Sequence, residues 1–359
     1  MSPMPKFISF LFLLFLTSFL SAQSGVIRGS VLDAETGDPI SFGTVQVRGT
    51  DRALNTDLDG FFSFSNLSGG KYVIVANYLG YDSSVVEVTL EEGKIEFVRV
   101  EMQAAGVNLS TVDVSARREQ SRSDVKISKI SVSSEDILSL PSTGGEPDIA
   151  QYLAVLPGVV STGDQGGQLY IRGGSPVQNK IMLDGMTIYN PFHSIGLFSV
   201  FETEAIRGVD VYTGGFNAEY GGRISAIVDI KTREGNKKRF SGLVSASPFQ
   251  GKVLIEGPLK KLDPETGSSI SFLFTGKQSI IDETSKQLYS YAIDENFFNL
   301  GDNPDGLGAE DIGLPYNYSD LYGKVSFLSG NGSKLNLFGF NFNDDFAVPG
   351  LADLNWTNG

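Results

Sequence analysis

The sequence predicts a mainly β protein: an N-terminal β-sandwich, then an α+β segment, then the beginning of a transmembrane antiparallel β-barrel that is left incomplete. Three observations carry this prediction. The 359 residues include 42 Gly, 25 Phe and 13 Tyr, a mixture that suits short strands joined by tight turns. Apolar and polar residues alternate at period two in many short runs, as on half-buried strands. Beyond an apolar leader, no stretch is long and apolar enough for a membrane-spanning helix, so any membrane crossing must use strands.

Composition removes several function classes. Lys plus Arg number 28 and Asp plus Glu 42, a net charge of −14 with no concentrated basic stripe, which argues against a nucleic-acid partner. With no cysteine, disulfides, thiolate zinc sites and cysteine nucleophiles are all excluded. The sole histidine is His193, so any triad or histidine-based metal site would rest on it alone. Its place beside Pro191 and Phe192 reads as a loop position.

The first element, residues 1–22, reads as a secretory signal: Lys6, an apolar run Phe7–Leu20, and small Ser21 and Ala22 at a cleavage site. Residues 23–103 follow as an all-β unit. Its expected strands are Val26–Leu32, Thr44–Val47, Phe61–Phe64, Tyr72–Tyr78, Val85–Leu90 and Glu96–Met102, with turns at Glu35–Pro39, Gly69–Gly70 and Glu91–Gly93. About seven strands at this spacing make a small sandwich. Asn55, Asp57, Asp59 and Gly60 fall at the first, third, fifth and sixth places of an EF-hand loop. The place of its bidentate Glu falls on Asn66 and the flanks are strand-like, so a β-turn held by Asp side chains is the expectation.

Four motifs in this unit, Gly29-Ser30-Val31, Thr36–Ile40, Thr56–Phe62 and Gly70-Lys71-Tyr72, resemble the carboxypeptidase-regulatory-like domain, a transthyretin-like β-sandwich. The resemblance implies an accessory module without the zinc peptidase domain.

Residues 104–128 read as a polar linker. Within it Leu109, Ser110, Thr111, Val112, Asp113, Val114 and Ser115 form a short β-prone run that could add itself to a partner's sheet edge. An ordinary linker strand, or the first strand of the next domain, explains the run equally well.

The α+β segment spans residues 129–234. Ser133–Asp136 before Ile137-Leu138 has the composition of a helix start. Asp148–Leu156 reads as an amphipathic helix stopped by Pro157-Gly158. Asp184-Gly185 sits between apolar runs as a hairpin turn does. Gly214-Gly215 and Gly221-Gly222 permit positive φ or close backbone approach. Ile224, Ala226, Val228 and Ile230 follow strand period. Leu169–Gly174, Lys180–Pro191 and Ile206–Arg233 resemble, in order and spacing, three motifs of the TonB-dependent receptor plug. The motif positions are Arg172, Gly173, Gly174, Asp184, Gly185, Arg207, Gly214, Gly215, Tyr220, Gly221 and Arg223. Their expected role is to build the plug. Arg172 and Asp184 flank strands expected inside a barrel, where each charge needs a partner on plug or wall.

From residue 235 to 359 the period-two runs lengthen: Ile270, Phe272 and Phe274; Leu321, Val325 and Phe327; Phe338, Phe340 and Phe342. In each the apolar set is expected to face lipid and the alternating set the plug. Asp282–Tyr318 reads as a long extracellular loop. The family's barrel has about 22 strands, which at roughly 10 residues each exceeds this stretch, so a C-terminally truncated piece is expected.

The resemblance implies an outer-membrane receptor of a Gram-negative cell, with its N-terminal domains in the periplasm. TonB's periplasmic domain would grip an extended segment, here Leu109–Ser115, and energise uptake of a scarce small ligand past the plug. Its further implied partners are outer-membrane lipid and a surface lipoprotein; no cofactor is expected. Siderophore, glycan, cobalamin and peptide receptors share such a front end; a leading sandwich favours a glycan. The rival reading, a non-transporting adhesin or scaffold, should lack the three ordered motifs. A zinc peptidase needs about three ligands and a base, which one histidine and no cysteine do not supply; an enzyme is not expected.

Overall fold

The computed structural model describes residues 24–105, 129–140, 146–162, 168–193, 198–263, 266–288, 316–330, 333–348 and 352–358. The signal, the run Leu109–Ser115 and the linker's residues 106–128 lie outside these. The chain divides into two compact units, one holding the described residues 24–34 and 39–105 and the other residues 35–38 with the described residues from 129 on.

The first unit is a sandwich of seven strands among the described residues: β1 Gly25–Asp33, β2 Thr44–Val47, β3 Ala53–Asn55, β4 Phe61–Leu67, β5 Gly70–Asn77, β6 Ser84–Leu90 and β7 Ile95–Met102. The sheets run β4-β1-β7 and β3-β2-β5-β6, with β1 parallel to β7. Ile27, Val31, Phe62, Val45, Ile74 and Val100 fill the space between them. Three-residue β3 is too short for periodicity to reveal. The Asp57 turn forms as expected: its carboxylate accepts the N–H groups of Asp59 and Phe61, both at 2.9 Å. β1 and β7 pack so closely that a Cβ on Gly29 would lie 1.9 Å from the Val98 carbonyl oxygen.

In the second unit, β8 Lys129–Ser133 leads into helix α1 Ser134–Leu138 through a capping box of Ser133 and Asp136. Helix α2 Ile149–Ala154 is capped by Asp148. A hairpin of β9 Val159–Thr162 and β10 Gln168–Ile171 follows. Then come β11 Lys180–Leu183, β12 Met186–Ile188, β13 Ile206–Tyr212 and β14 Ile227–Thr232, in a five-stranded sheet ordered β12-β11-β14-β13-β8. The expected alternation along β14 is corrected here. Ile227, Val228, Asp229 and Ile230 are all buried, because β14 lies at the centre of its sheet with both faces covered, and Ile224 lies outside the strand, 80% exposed.

Six antiparallel strands form a wall: β15 Ser241–Ala246, β16 Gln250–Lys260, β17 Ser269–Ser279, β18 Tyr316–Leu328, β19 Lys334–Val348 and β20 Ala352–Asn358, in sequence order and unclosed. On β17, Ser271, Leu273, Thr275 and Lys277 are buried against the central domain while Ile270, Phe272 and Phe274 face away. β18 repeats this, with Asp320, Tyr322 and Lys324 inward and Leu321, Val325 and Phe327 outward. β19 departs from the expectation. The register pairs Phe342 with Asp320 and Phe340 with Tyr322, which turns Phe338, Phe340 and Phe342 inward and leaves Leu335 and Leu337 outward, each 57% exposed. Phe340 and Phe342 belong to the same apolar core as Leu183, Val200 and Phe201 of the central domain. The expected long loop Asp282–Tyr318 falls in the connection between β17 and β18: helix α3 Ile281–Leu288 opens it, and its last residues, Tyr316–Tyr318, belong to β18.

Gly29→Ala should destabilise the sandwich by about 1–3 kcal/mol, since the added methyl forces β1 and β7 apart. Urea denaturation of the wild-type and variant chains, followed by a probe confined to residues 24–105, measures it.

Candidate functional site

The inner face of the wall and the central sheet meet in a seam where charged side chains are buried and almost all paired across the two. A carboxylate or ammonium taken out of water needs a partner of opposite charge and saturated hydrogen bonds, and four clusters meet that demand.

The first centres on Asp184. It occupies the β11–β12 turn with φ of 50°, followed by Gly185 at 91°, the pair of left-handed residues that a two-residue hairpin requires. The Thr232 N–H donates to one carboxylate oxygen at 3.0 Å. The other accepts the Thr232 hydroxyl at 2.6 Å, the Tyr322 hydroxyl at 2.7 Å and the Lys324 ammonium at 3.2 Å. Burial pushes the carboxyl up, but Lys324 and these hydrogen bonds outweigh it and hold it below its usual range.

The second centres on His193. The histidine is in a loop, as the sequence suggested, yet it is 1% exposed. Its Nε2 lies 2.9 Å from Asp320 and its Nδ1 3.0 Å from Asp344, carboxylates on β18 and β19. The ring stacks on Tyr318 with centroids 4.1 Å apart. Tyr316 donates to Asp344 at 2.9 Å, and Lys277 pairs with Asp320 at 2.9 Å while donating to the Ser199 carbonyl. Burial lowers the imidazole's pKa and Lys277 opposes its charge, but the two carboxylates prevail and raise it.

In the third, Lys252 on β16 gathers Glu146 at 3.0 Å, Glu202 at 3.3 Å and Glu204 at 2.5 Å. Burial and the hydrogen bond with Glu204 push Glu202 up to about 8, so this pair shares a proton at neutral pH. Glu204 is correspondingly lowered by Glu202 and Lys252, against its own burial. The fourth surrounds Glu234, which pairs with Lys237 at 2.7 Å, Lys334 at 2.9 Å and Arg207 at 3.5 Å. These three cations overcome its burial and keep it ionised.

The sequence-predicted motif residues split between this seam and a separate group. Asp184, Gly185 and Arg207 belong to the seam. Arg172 does not: it is exposed at φ 48° in the turn after β10, beside Gly173 at 78°. Gly174 must be glycine, since a Cβ there would meet the Ser225 hydroxyl at 2.0 Å. A Cβ on Gly214 would lie 3.5 Å from the Arg172 guanidinium, so these turns adjoin. Gly215 and Gly222 adopt positive φ of 65° and 91°, whereas Gly221, at φ −59°, offers its carbonyl to Lys180 at 3.3 Å. Tyr220 donates to Asp229 at 3.2 Å and packs on Tyr212. Arg223 reaches the Gly222 carbonyl at 3.2 Å. Glu202, Glu204, Lys252, Lys277, Asp320 and Asp344 escaped sequence reading. Lone charges within apolar β-runs were the available signal for the wall members.

Two family models match the chain. The CarboxypepD_reg-like domain covers residues 27–114 and the TonB-dependent receptor plug domain residues 121–227. The TonB-dependent receptor SusC of Bacteroides thetaiotaomicron is 25% identical over 264 residues, covering 71% of this chain and 25% of that protein. The TonB-dependent transporter Oar of Myxococcus xanthus is 24% identical, covering 68% of this chain and 23% of that protein. The chain thus spans about a quarter of the length of these relatives. Among solved structures, the siderophore receptor PirA of Pseudomonas aeruginosa covers 61% of this chain and 34% of that chain, with 17% identity and a TM-score of 0.39.

Asp184→Asn should destabilise the seam by about 3–5 kcal/mol by stranding Lys324, and adding Lys324→Met should restore part of that. Thermal unfolding of the detergent-solubilised chain measures both. The pH response has a definite sign. His193, raised above 6.5, contributes fully below that pH and loses its contribution as pH rises through its folded value. Glu202 holds a proton in the fold that the unfolded chain releases, so between pH 4.5 and about 8 its effect also weakens the fold as pH rises. Stability should therefore fall from pH 6 to 9, with a shallower slope in Glu202→Gln.

Proposed function

We propose that this chain, which belongs to the TonB-dependent receptors through a plug domain set behind a carboxypeptidase-regulatory-like domain, acts in TonB-coupled uptake of a scarce ligand across an outer membrane. The observation that carries the reading is the seam: a matched plug domain seated on the polar face of a sheet whose other face is a row of apolar side chains. Such a sheet suits lipid on one side and a plug on the other. A plug held by paired charges, rather than by an apolar interface alone, can be freed by exchanging each pair for water, which makes it suited to gating. Asp184, His193, Glu202 and Glu204 are then closing contacts, and the protein is a transporter rather than an enzyme.

The energy source on this reading is TonB in the periplasm, gripping Leu109–Ser115 by strand addition. The ligand is small and extracellular, and the leading sandwich favours a glycan over a siderophore, cobalamin or a peptide. The protein faces the periplasm with its sandwich and plug. The purified periplasmic domain of TonB should capture the full chain, and deletion of Leu109–Ser115 should reduce capture at least tenfold. Capture unchanged by the deletion would move the contact elsewhere. No capture of either form would favour a surface scaffold.

A further inference from the structure

At the end of the wall where β16 gives way to β17 and β18 to β19, a groove of about 340 Å³ opens among these four strands. Two adjacent cross-strand rows build it. Ile270, Phe327 and Leu335 lie side by side in one, continuing the outward apolar face, and Ser269, Leu328 and Lys334 form the next, which turns to the inner face at the rim. Lys260 and the hydroxyls of Ser268, Ser329 and Ser333 complete the polar end.

The polar end carries two lysines, Lys260 and Lys334. Lys260 is exposed and donates to the Ser268 hydroxyl at 3.0 Å. Lys334 reaches Glu234, a carboxylate already shared with Lys237 and Arg207, so three cations surround one anion there. The turn's own Asp263 is engaged by the Thr266 hydroxyl at 2.8 Å. The Ser269 side chain lines the groove, is 1% exposed, and its hydroxyl has no hydrogen-bond partner. A buried hydroxyl without a partner costs free energy until an acceptor reaches it.

We propose that this groove binds the headgroup of an anionic phospholipid. Phosphate oxygens accept from the Lys260 and Lys334 ammoniums and from the serine hydroxyls, Ser269 included, while an acyl chain lies along Ile270, Phe327 and Leu335. Two ammoniums beside hydroxyls match a phosphate diester, and the adjoining apolar row matches a hydrocarbon chain in a way that free phosphate does not. The inference rests on the wall being membrane-embedded with this end in the periplasm: the longest connection of the wall, between β17 and β18, leaves from the opposite end, as the long connections of such a sheet do on its outer side. The lipid would come from the periplasmic leaflet.

The test uses the full chain extracted from outer membranes in mild detergent, stripped of lipid and offered phosphatidylglycerol, phosphatidylethanolamine or inorganic phosphate, with bound lipid counted by native mass spectrometry. Phosphatidylglycerol should bind at least fivefold more tightly than phosphatidylethanolamine, and Lys260→Glu should erase that preference. Ser269→Ala should weaken it, while Lys71→Glu on the exposed sandwich surface should not. Equal binding of the two lipids, binding of inorganic phosphate alone, or a preference that survives Lys260→Glu overturns the proposal. Membrane fractionation of the same preparations reads the underlying assumption separately. A chain absent from the outer membrane fails the transport reading, whereas a membrane-resident chain without lipid preference fails only this inference.

Discussion

Burying charge between two sheets is the constraint on which the second unit depends. Asp184, His193, Glu202, Glu204 and Glu234 are each removed from water by the packing of apolar neighbours, and each is tolerable only because a group of complementary charge stands within hydrogen-bonding reach. Those partners come from both sides. Lys252, Lys277 and Lys324 project from the wall, and the Asp320 and Asp344 carboxylates that embrace His193 also belong to it. Neither sheet would be a reasonable structure with this face bare.

The same constraint fixes the register of the wall. Strand period two puts every second residue on one face, so a one-residue slip would send Lys252, Lys277 and Lys324 into the outward apolar row. The apolar exceptions on the inner face, Leu254, Leu273, Phe340 and Phe342, meet Leu183, Val200 and Phe201 and supply the dry surroundings that strengthen the ion pairs. Non-directional packing holds the seam together while directional pairing sets its alignment.

The plug motifs divide by physical task. Gly173, Gly174, Gly185, Gly215 and Gly222 make turns that side chains would strain or block. Tyr220 donates to one carboxylate oxygen of Asp229 within the central sheet, where Asp229 faces Asp210 across β13 and β14 and burial raises its pKa. Asp184 does both: it takes a left-handed conformation to close a hairpin and aims its carboxylate at the wall.

The sequence by itself determined what local chemistry dictates. Turn residues placed the Asp184-Gly185 hairpin and the Asp57 turn, caps placed both short helices, and short β-prone runs placed five of the sandwich strands to within two residues, because these signals are contained in a few consecutive residues. Only tertiary structure decided which face each side chain meets. Alternation along Phe338, Phe340 and Phe342 was plain, but its direction depended on pairing with β18 and on an apolar patch of the central sheet. His193 looked like an ordinary loop residue because Asp320 and Asp344, which make it a bridge, lie more than a hundred residues away. A period shows that two faces differ; what covers each face is settled by distant parts of the chain.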